Sequence, residues 1–169
     1  MEKRKCLVVC VMLVLGVLLI LTGFSSSLAA EKVKIGVILP LSGPVAPIGK
    51  TAKSGLDYAV KEINESGGIK SLAGAQIELV YADSTGKPEV GLSEAERLIL
   101  KDKVSALMGS YQSSVTYTST ESAERYKTPY LVIISVMDTI TERGFKYVFR
   151  PTQKASHQSG AMVDFLKSM

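Results

Sequence analysis

The chain has no tryptophan, one histidine and two cysteines in 169 residues. Each scarcity removes a class of function. Both cysteines, Cys6 and Cys10, lie in the apolar N-terminal stretch. The rest of the chain therefore has no disulfide, catalytic thiol or thiolate metal ligand to offer. His157 stands alone in a polar stretch. A general base needs a positioned partner within reach, so it reads as a solvated surface residue. No His, Cys and carboxylate cluster has metal-ligand spacing, and neither metal nor cofactor is expected. No Gly-x-Ser-x-Gly elbow or Gly-x-x-x-x-Gly-Lys loop occurs. Gly49-Lys50-Thr51 comes nearest to the second. However, Gly43 lies six residues upstream rather than five, and Pro44 and Pro47 remove amides that a phosphate cradle needs. An enzyme is not expected, since a secreted hydrolase would lack a nucleophile–base pair.

Long charge runs are also missing. Residues 1–30 carry Glu2, Lys3, Arg4 and Lys5, and the remaining 139 residues hold 17 basic and 15 acidic side chains of alternating sign. That pattern lacks the clustered basic stripe of a nucleic-acid binder. The mean hydropathy of +0.21 comes largely from the N-terminal apolar run.

That run has the form of an address. Lys3-Arg4-Lys5 precedes fifteen uncharged residues, 7–21, followed by Ser25-Ser26-Ser27-Leu28-Ala29-Ala30. A cationic head, an apolar middle and a small-x-small exit make a secretory signal peptide over residues 1–29, cut after Ala29, and imply a periplasmic location. The competing form is an uncleaved anchor, for which the apolar stretch is near the lower length limit. No cysteine stands at the cut to carry a lipid.

The body alternates strand and helix. The β-branched run 33–39 predicts a buried strand ending at Pro40. After the Gly/Pro-rich loop 41–49, residues 50–65 predict a helix with Leu56, Ala59, Val60 and Ile63 on one face. Further strands are expected at 77–81, 104–108, 131–134 and 147–149. Helices are expected from Pro88 to 101, from Ser113 to about 126, briefly at 139–143, and from 155 to 167. Such βαβα order implies α/β architecture, a parallel sheet flanked by helices. The last helix carries Met162, Val163, Phe165 and Leu166 with no later element to cover them. Either the chain is a fragment or this tail dangles.

In open α/β sheets ligands gather beyond the carboxyl ends of the strands. Three such ends stand out. Gly109-Ser110-Tyr111-Gln112-Ser113-Ser114 leaves a buried strand and opens a helix, where free amides and two hydroxyls suit a carboxylate. Plain helix capping by Ser113 explains the same residues. Ile134-Ser135-Val136-Met137 ends the next strand and would lie beside the Ser113 turn. Ser42-Gly43-Pro44 is the third end. Tyr111, Ser113, Ser114, Ile134, Val136 and Ser42 are the candidate ligand-binding residues, forming half a cleft.

These segments resemble the periplasmic solute-binding proteins of branched-chain amino acid ABC transporters. The likeness lies in Val33-Lys34-Ile35-Gly36-Val37, in Leu41-Ser42-Gly43-Pro44-Val45-Ala46 with Gly49, and in residues 59–64 with Gly67-Gly68-Ile69. It continues in residues 109–114 and in Thr141-Glu142-Arg143-Gly144-Phe145-Lys146-Tyr147-Val148-Phe149-Arg150. The resemblance implies a type I periplasmic binding protein lobe, partial here over residues 30–150, followed over 151–169 by the first crossover and first helix of a second lobe that is mostly missing, the two α/β lobes of the whole molecule closing on a ligand. It implies a monomeric receptor delivering an amino acid or related small carboxylate to ABC permease subunits in the inner membrane. An exported ligand-sensing regulatory domain of the same fold is the alternative. By this resemblance the Ser113 hydroxyl meets the ligand carboxylate, and Ile134 and Val136 contact the ligand partly through backbone. The sequence departs from the family at Val136, often Thr or Ser, and at Ile48, often aromatic. Those departures favour a carboxylate with a less polar body, or an amino acid with different ammonium contacts. Half a cleft leaves a ligand in water, so the 169-residue chain alone is expected to bind negligibly, as a truncated copy would.

Overall fold

The computed structural model describes residues 32–169; the leader expected over residues 1–29 lies outside the described residues. Five strands form one sheet: β1 (Lys32–Leu39), β2 (Gln76–Asp83), β3 (Ala106–Gly109), β4 (Tyr130–Val132) and β5 (Val148–Phe149). Their order is β2-β1-β3-β4-β5, and every pairing is parallel. Four helices accompany them: α1 (Ala46–Glu65), α2 (Pro88–Leu100), α3 (Ser113–Arg125) and α4 (Ala155–Ser168). Short 3-10 turns lie at Lys70–Leu72 and Asp138–Ile140.

Side chains alternate across a strand, so the register separates two faces. Gly36 and Ile38 align with Leu107 and Gly109, which align with Tyr130 and Val132. Helices α2 and α3 pack on this face through Ala95, Leu98, Val115 and Ala123, forming one buried core. Gly36 lets that layer approach, because a Cβ there would sit 2.7 Å from a Leu107 methyl. On the opposite face, Val37 aligns with Tyr81 and Met108, and Leu131 aligns with Phe149. There α1 covers β1 and β2, where the Tyr81 hydroxyl donates to Asp57 at 2.7 Å. Phe149 at the far edge is 52% exposed.

The sequence-derived elements hold with four shifts. Helix α1 begins at Ala46, ahead of the expected residue 50, because Pro47 sits in its first turn and needs no amide partner there. It also rests on a different stripe. Leu56, Val60 and Asn64 turn toward the sheet, while Ala59 and Ile63 are exposed. Asn64 sets this rotation: its side-chain amide donates to the Ile77 carbonyl at 2.9 Å and accepts from the Ile77 amide at 2.8 Å. Strand β4 stops at Val132, short of 134. The expected 139–143 helix is a three-residue 3-10 turn. Arg143 is drawn away toward α3, donating to the Tyr117 carbonyl at 3.0 Å. Its guanidinium is sandwiched between the rings of Tyr117 and Phe145.

Helix α4 has no buried residue. Met162, Phe165 and Leu166 are each about 60% exposed. Among the described residues no helix is long and apolar enough to cross a membrane.

Candidate functional site

The C-terminal ends of β1, β3 and β4 open on one edge of the sheet. Chain connections diverge there between β1 and β3, the place where open parallel sheets leave a crevice. The first loop is anchored by an aspartate. The Asp83 carboxylate at the end of β2 accepts from the Leu41 amide at 2.7 Å and from the Thr85 amide at 2.8 Å. Burial alone would raise its pKa. Hydrogen bonds from the Ser42 hydroxyl and from the amides of Thr85, Leu41 and Ser42 outweigh burial and hold the carboxyl below its ordinary range. Ser42 is thus exposed on a pinned loop, its hydroxyl and amide both bonded to the Asp83 carboxylate. The neighbouring turn brings Gly86, at a φ of +76°, against the Gln112 side chain, where a Cβ would lie 2.6 Å from the amide nitrogen.

The second loop leads into α3. Capping by Ser113 does not occur: Gln112 occupies the N-cap and makes no side-chain cap bond. Ser113 is the first helical residue, so the amides of Ser113 and Ser114 have no intrahelical acceptor. Its hydroxyl instead accepts a long bond, 3.4 Å, from the Met137 amide of the third loop. An oxygen that accepts from an amide keeps its own proton to donate. Helix α3 contains no acidic residue in its first turn, so its positive end is not neutralised locally. Ser114 is exposed, and Tyr111 is half-buried and supplies a carbonyl to the Ser135 hydroxyl at 3.3 Å. Ile134 and Val136 lie beyond β4, one half-buried and the other 36% exposed. The structure therefore brings Tyr111, Ser113, Ser114 and the 134–137 segment together.

A buried ring of hydroxyls holds those two loops in register. Ser110 donates its amide to Thr116 Oγ1 at 3.0 Å, and Thr116 lies 2.5 Å from Ser135 Oγ. Ser135 donates onward to the Ser110 carbonyl at 2.8 Å. One proton assignment satisfies the circuit: the Ser110 amide to Thr116, the Thr116 hydroxyl to Ser135, and the Ser135 hydroxyl back to the Ser110 carbonyl. All three residues are essentially inaccessible. Thr116 and Ser135 were not among the sequence candidates. Thr116 had one signal, spacing, since Thr116, Ser119, Thr120 and Ala123 recur at the interval of a buried helical stripe; Ser135 had none. A hydroxyl count alone reads that stripe as solvated.

Beside Ser114 lies an open groove of about 420 Å³, lined by Pro88, Ser114, Tyr117, Thr118, Met137 and Thr139. Its walls are mostly apolar. Among the described residues no group of His, Cys and carboxylates is placed to hold a metal.

These features match known proteins along the same stretch. Residues 32–169 match the family model described as periplasmic binding protein. The Leu/Ile/Val-binding protein homolog 8 of Brucella suis biovar 1 (strain 1330) is 36% identical over 152 residues, covering 90% of this chain and 36% of that protein. The substrate-binding protein LivJ of Streptococcus pneumoniae, solved with isoleucine, superposes with a TM-score of 0.68 at 31% identity. It covers 73% of this chain and 34% of its own. A solute-binding protein of an ABC transporter from Rhodopseudomonas palustris BisB5, solved with 3,4-dihydroxybenzoic acid, gives 0.65 at 26% identity, covering 73% and 32%. The chain spans about a third of the length of these relatives. The parallel sheet with its flanking helices is the periplasmic binding protein type I fold, present in part, and its counterparts are substrate-binding proteins rather than enzymes. By sequence along nearly its whole described length, and by fold, the chain belongs to the periplasmic binding protein family.

Proposed function

We propose that this chain forms the first ligand-contacting lobe, residues 30–150, of an extracytoplasmic receptor that delivers a small carboxylate to an ABC importer. Residues 151–169 are the crossover and first helix of a second lobe, and residues 1–29 the export leader. The receptor works as a monomer and performs no chemistry. One observation carries the reading: the Ser113 hydroxyl, fixed as acceptor of the Met137 amide, keeps its proton for an anion at the start of α3. The names of similar proteins support it, since one is a Leu/Ile/Val-binding protein homologue and others were solved with isoleucine or a dihydroxybenzoic acid.

The body of the ligand is less polar than an α-amino acid. An ammonium needs acceptors, and this lobe offers few. The Val136 carbonyl is taken by the Ala155 amide at 2.8 Å, and the Met137 carbonyl by Arg150 at 2.6 Å. The Ser110 carbonyl accepts the single Ser135 hydroxyl proton at 2.8 Å, and the Tyr111 carbonyl lies 3.3 Å from the same hydroxyl. Ile134 and Val136 have no polar side-chain atom. Pro88, Tyr117 and Met137 provide apolar wall close by.

Calorimetry on the full-length receptor, with 4-hydroxybenzoate and L-leucine as probes, tests the reading. The benzoate should bind more tightly, and Ser113→Ala should weaken it by tenfold or more, in keeping with the roughly 1.5–3 kcal/mol of a hydrogen bond to a charged group. Tight leucine binding without benzoate binding would remove the less polar ligand, and an unaffected Ser113→Ala variant would remove the site.

A further inference from the structure

Beyond β5 the chain is stitched to the 136–142 segment at four points. Arg150 donates from Nη2 to the Met137 carbonyl at 2.6 Å. The Ala155 amide donates to the Val136 carbonyl at 2.8 Å. The Asp138 carboxylate accepts from the Ser156 hydroxyl at 2.9 Å and from its amide at 3.3 Å, at the first turn of α4. Lys154 pairs with Glu142 at 2.7 Å. Each partner on one side belongs to the turn that faces Ser113, and each on the other to the crossover that leads into α4.

Arg150 is the least expected member of this set. It is half-buried, and Nε and Nη1 are buried with no hydrogen-bond partner among the described residues. Burial pushes its guanidinium below the usual range, opposed by the charges of Asp138 and Glu142. Desolvating a guanidinium for one backbone bond is costly, and a surface cation would not be held this way. What that bond does fix is a peptide plane. With Met137 O held by Arg150 and Met137 N directed to Ser113 Oγ, the residue is gripped from both sides.

We infer that Arg150 is a positioning residue, which locks the Val136–Met137 turn to the crossover so that the ligand-facing loop and α4 move as one unit. The consequence for capture rests on the carboxylate reading of Ser113. A ligand that settles the turn would thereby settle the direction in which α4 leaves the sheet.

Amide hydrogen exchange on the full chain tests the lock without any ligand. In Arg150→Ala, the Met137 and Ala155 amides should exchange about tenfold faster while Leu107 and Tyr130 in the core keep their rates, as local opening requires. Arg150→Lys should recover part of the protection, since an ammonium keeps a donor for the Met137 carbonyl. Equal acceleration of core and turn, or none, would overturn the proposal. If Arg150→Ala does not fold, Asp138→Asn is read instead. It should speed Met137 exchange although the Asp138 carboxylate, among the described residues, bonds only to Ser156, and an unchanged Met137 would refute the lock. Calorimetry with 4-hydroxybenzoate on the full-length receptor forms the second arm, where Arg150→Ala should weaken binding about tenfold. Altered exchange together with a full-length receptor that binds no probe would retain the lock and discard the ligand reading.

Discussion

Helices α3 and α4 differ by only one residue in length, and their compositions point the wrong way. Helix α3 reads SSVTYTSTESAER, more than half serine and threonine, yet six of its side chains are buried. Helix α4 carries Met162, Val163, Phe165 and Leu166, yet buries none. The difference lies in their partners. Helix α3 lies between α2 and the sheet, and most of its buried hydroxyls bond inward, Ser122 Oγ alone among them having no partner among the described residues. Ser119 donates to the Val115 carbonyl at 2.6 Å, Thr120 to Thr116 at 2.9 Å, and Thr118 reaches the Pro88 carbonyl of α2 at 2.8 Å. A hydroxyl that returns its hydrogen bond to the previous turn can be buried at little cost. Helix α4 meets the lobe only at its first turn, through Ala155 and Ser156. Apolar content creates a demand for burial, and neighbouring surface meets it.

The contrast can be broken at its strongest point first. Leu107→Ala, in the wholly buried layer under α3, should cost about 2–5 kcal/mol and be read from urea midpoints. Ser135→Ala should cost about 1–3 kcal/mol, because it orphans the Ser110 carbonyl and breaks the hydroxyl ring. Its methyl fits, so the loss reports the hydrogen bonds rather than packing. Asp83 gives a smaller, pH-dependent effect. Its folded pKa is lowered, so its stabilisation is present above the unfolded value and fades as pH falls through the folded one. Asp83→Asn should flatten the acid limb of the urea midpoint against pH and leave a smaller loss at neutral pH. An acid limb of unchanged steepness would show that the Leu41 loop is not held by that charge. On α4, Phe165→Ser should change the midpoint by less than about 0.5 kcal/mol. A loss comparable to that of Leu107→Ala would show that α4 packs in solution, which would erase the contrast with α3.

Legibility followed the same division. The strands showed in β-branched runs such as residues 33–39, because a parallel strand buried on both faces needs apolar side chains throughout. Helix ends were harder. Pro47 marked a loop in the sequence and a first turn in the fold, and both are allowed to proline. Ser113 showed the chemistry of a cap, but Gln112 holds the cap position and leaves the serine hydroxyl to Met137. Of the candidate residues, Tyr111, Ser113, Ser114, Ile134 and Val136 converge on one edge. Ser42 lies on the same edge but is held by Asp83, 41 residues later in the sequence. The Thr116–Ser135 pair and the Arg150–Met137 contact were invisible, because each joins polar groups across separate elements and neither residue type announces burial.

The sequence alone determined the alternation of strand and helix and the parallel sense of the sheet. Those follow from local periodicity, chain connectivity and composition. Tertiary structure decided which hydroxyls are interior, which carbonyls are already hydrogen-bonded, and that Arg150 beyond β5 bonds the Met137 carbonyl of the turn facing Ser113. Hydrogen bonds between distant segments depend on angstrom-scale placement of groups the chain order keeps apart, and only packing of the lobe supplies that placement.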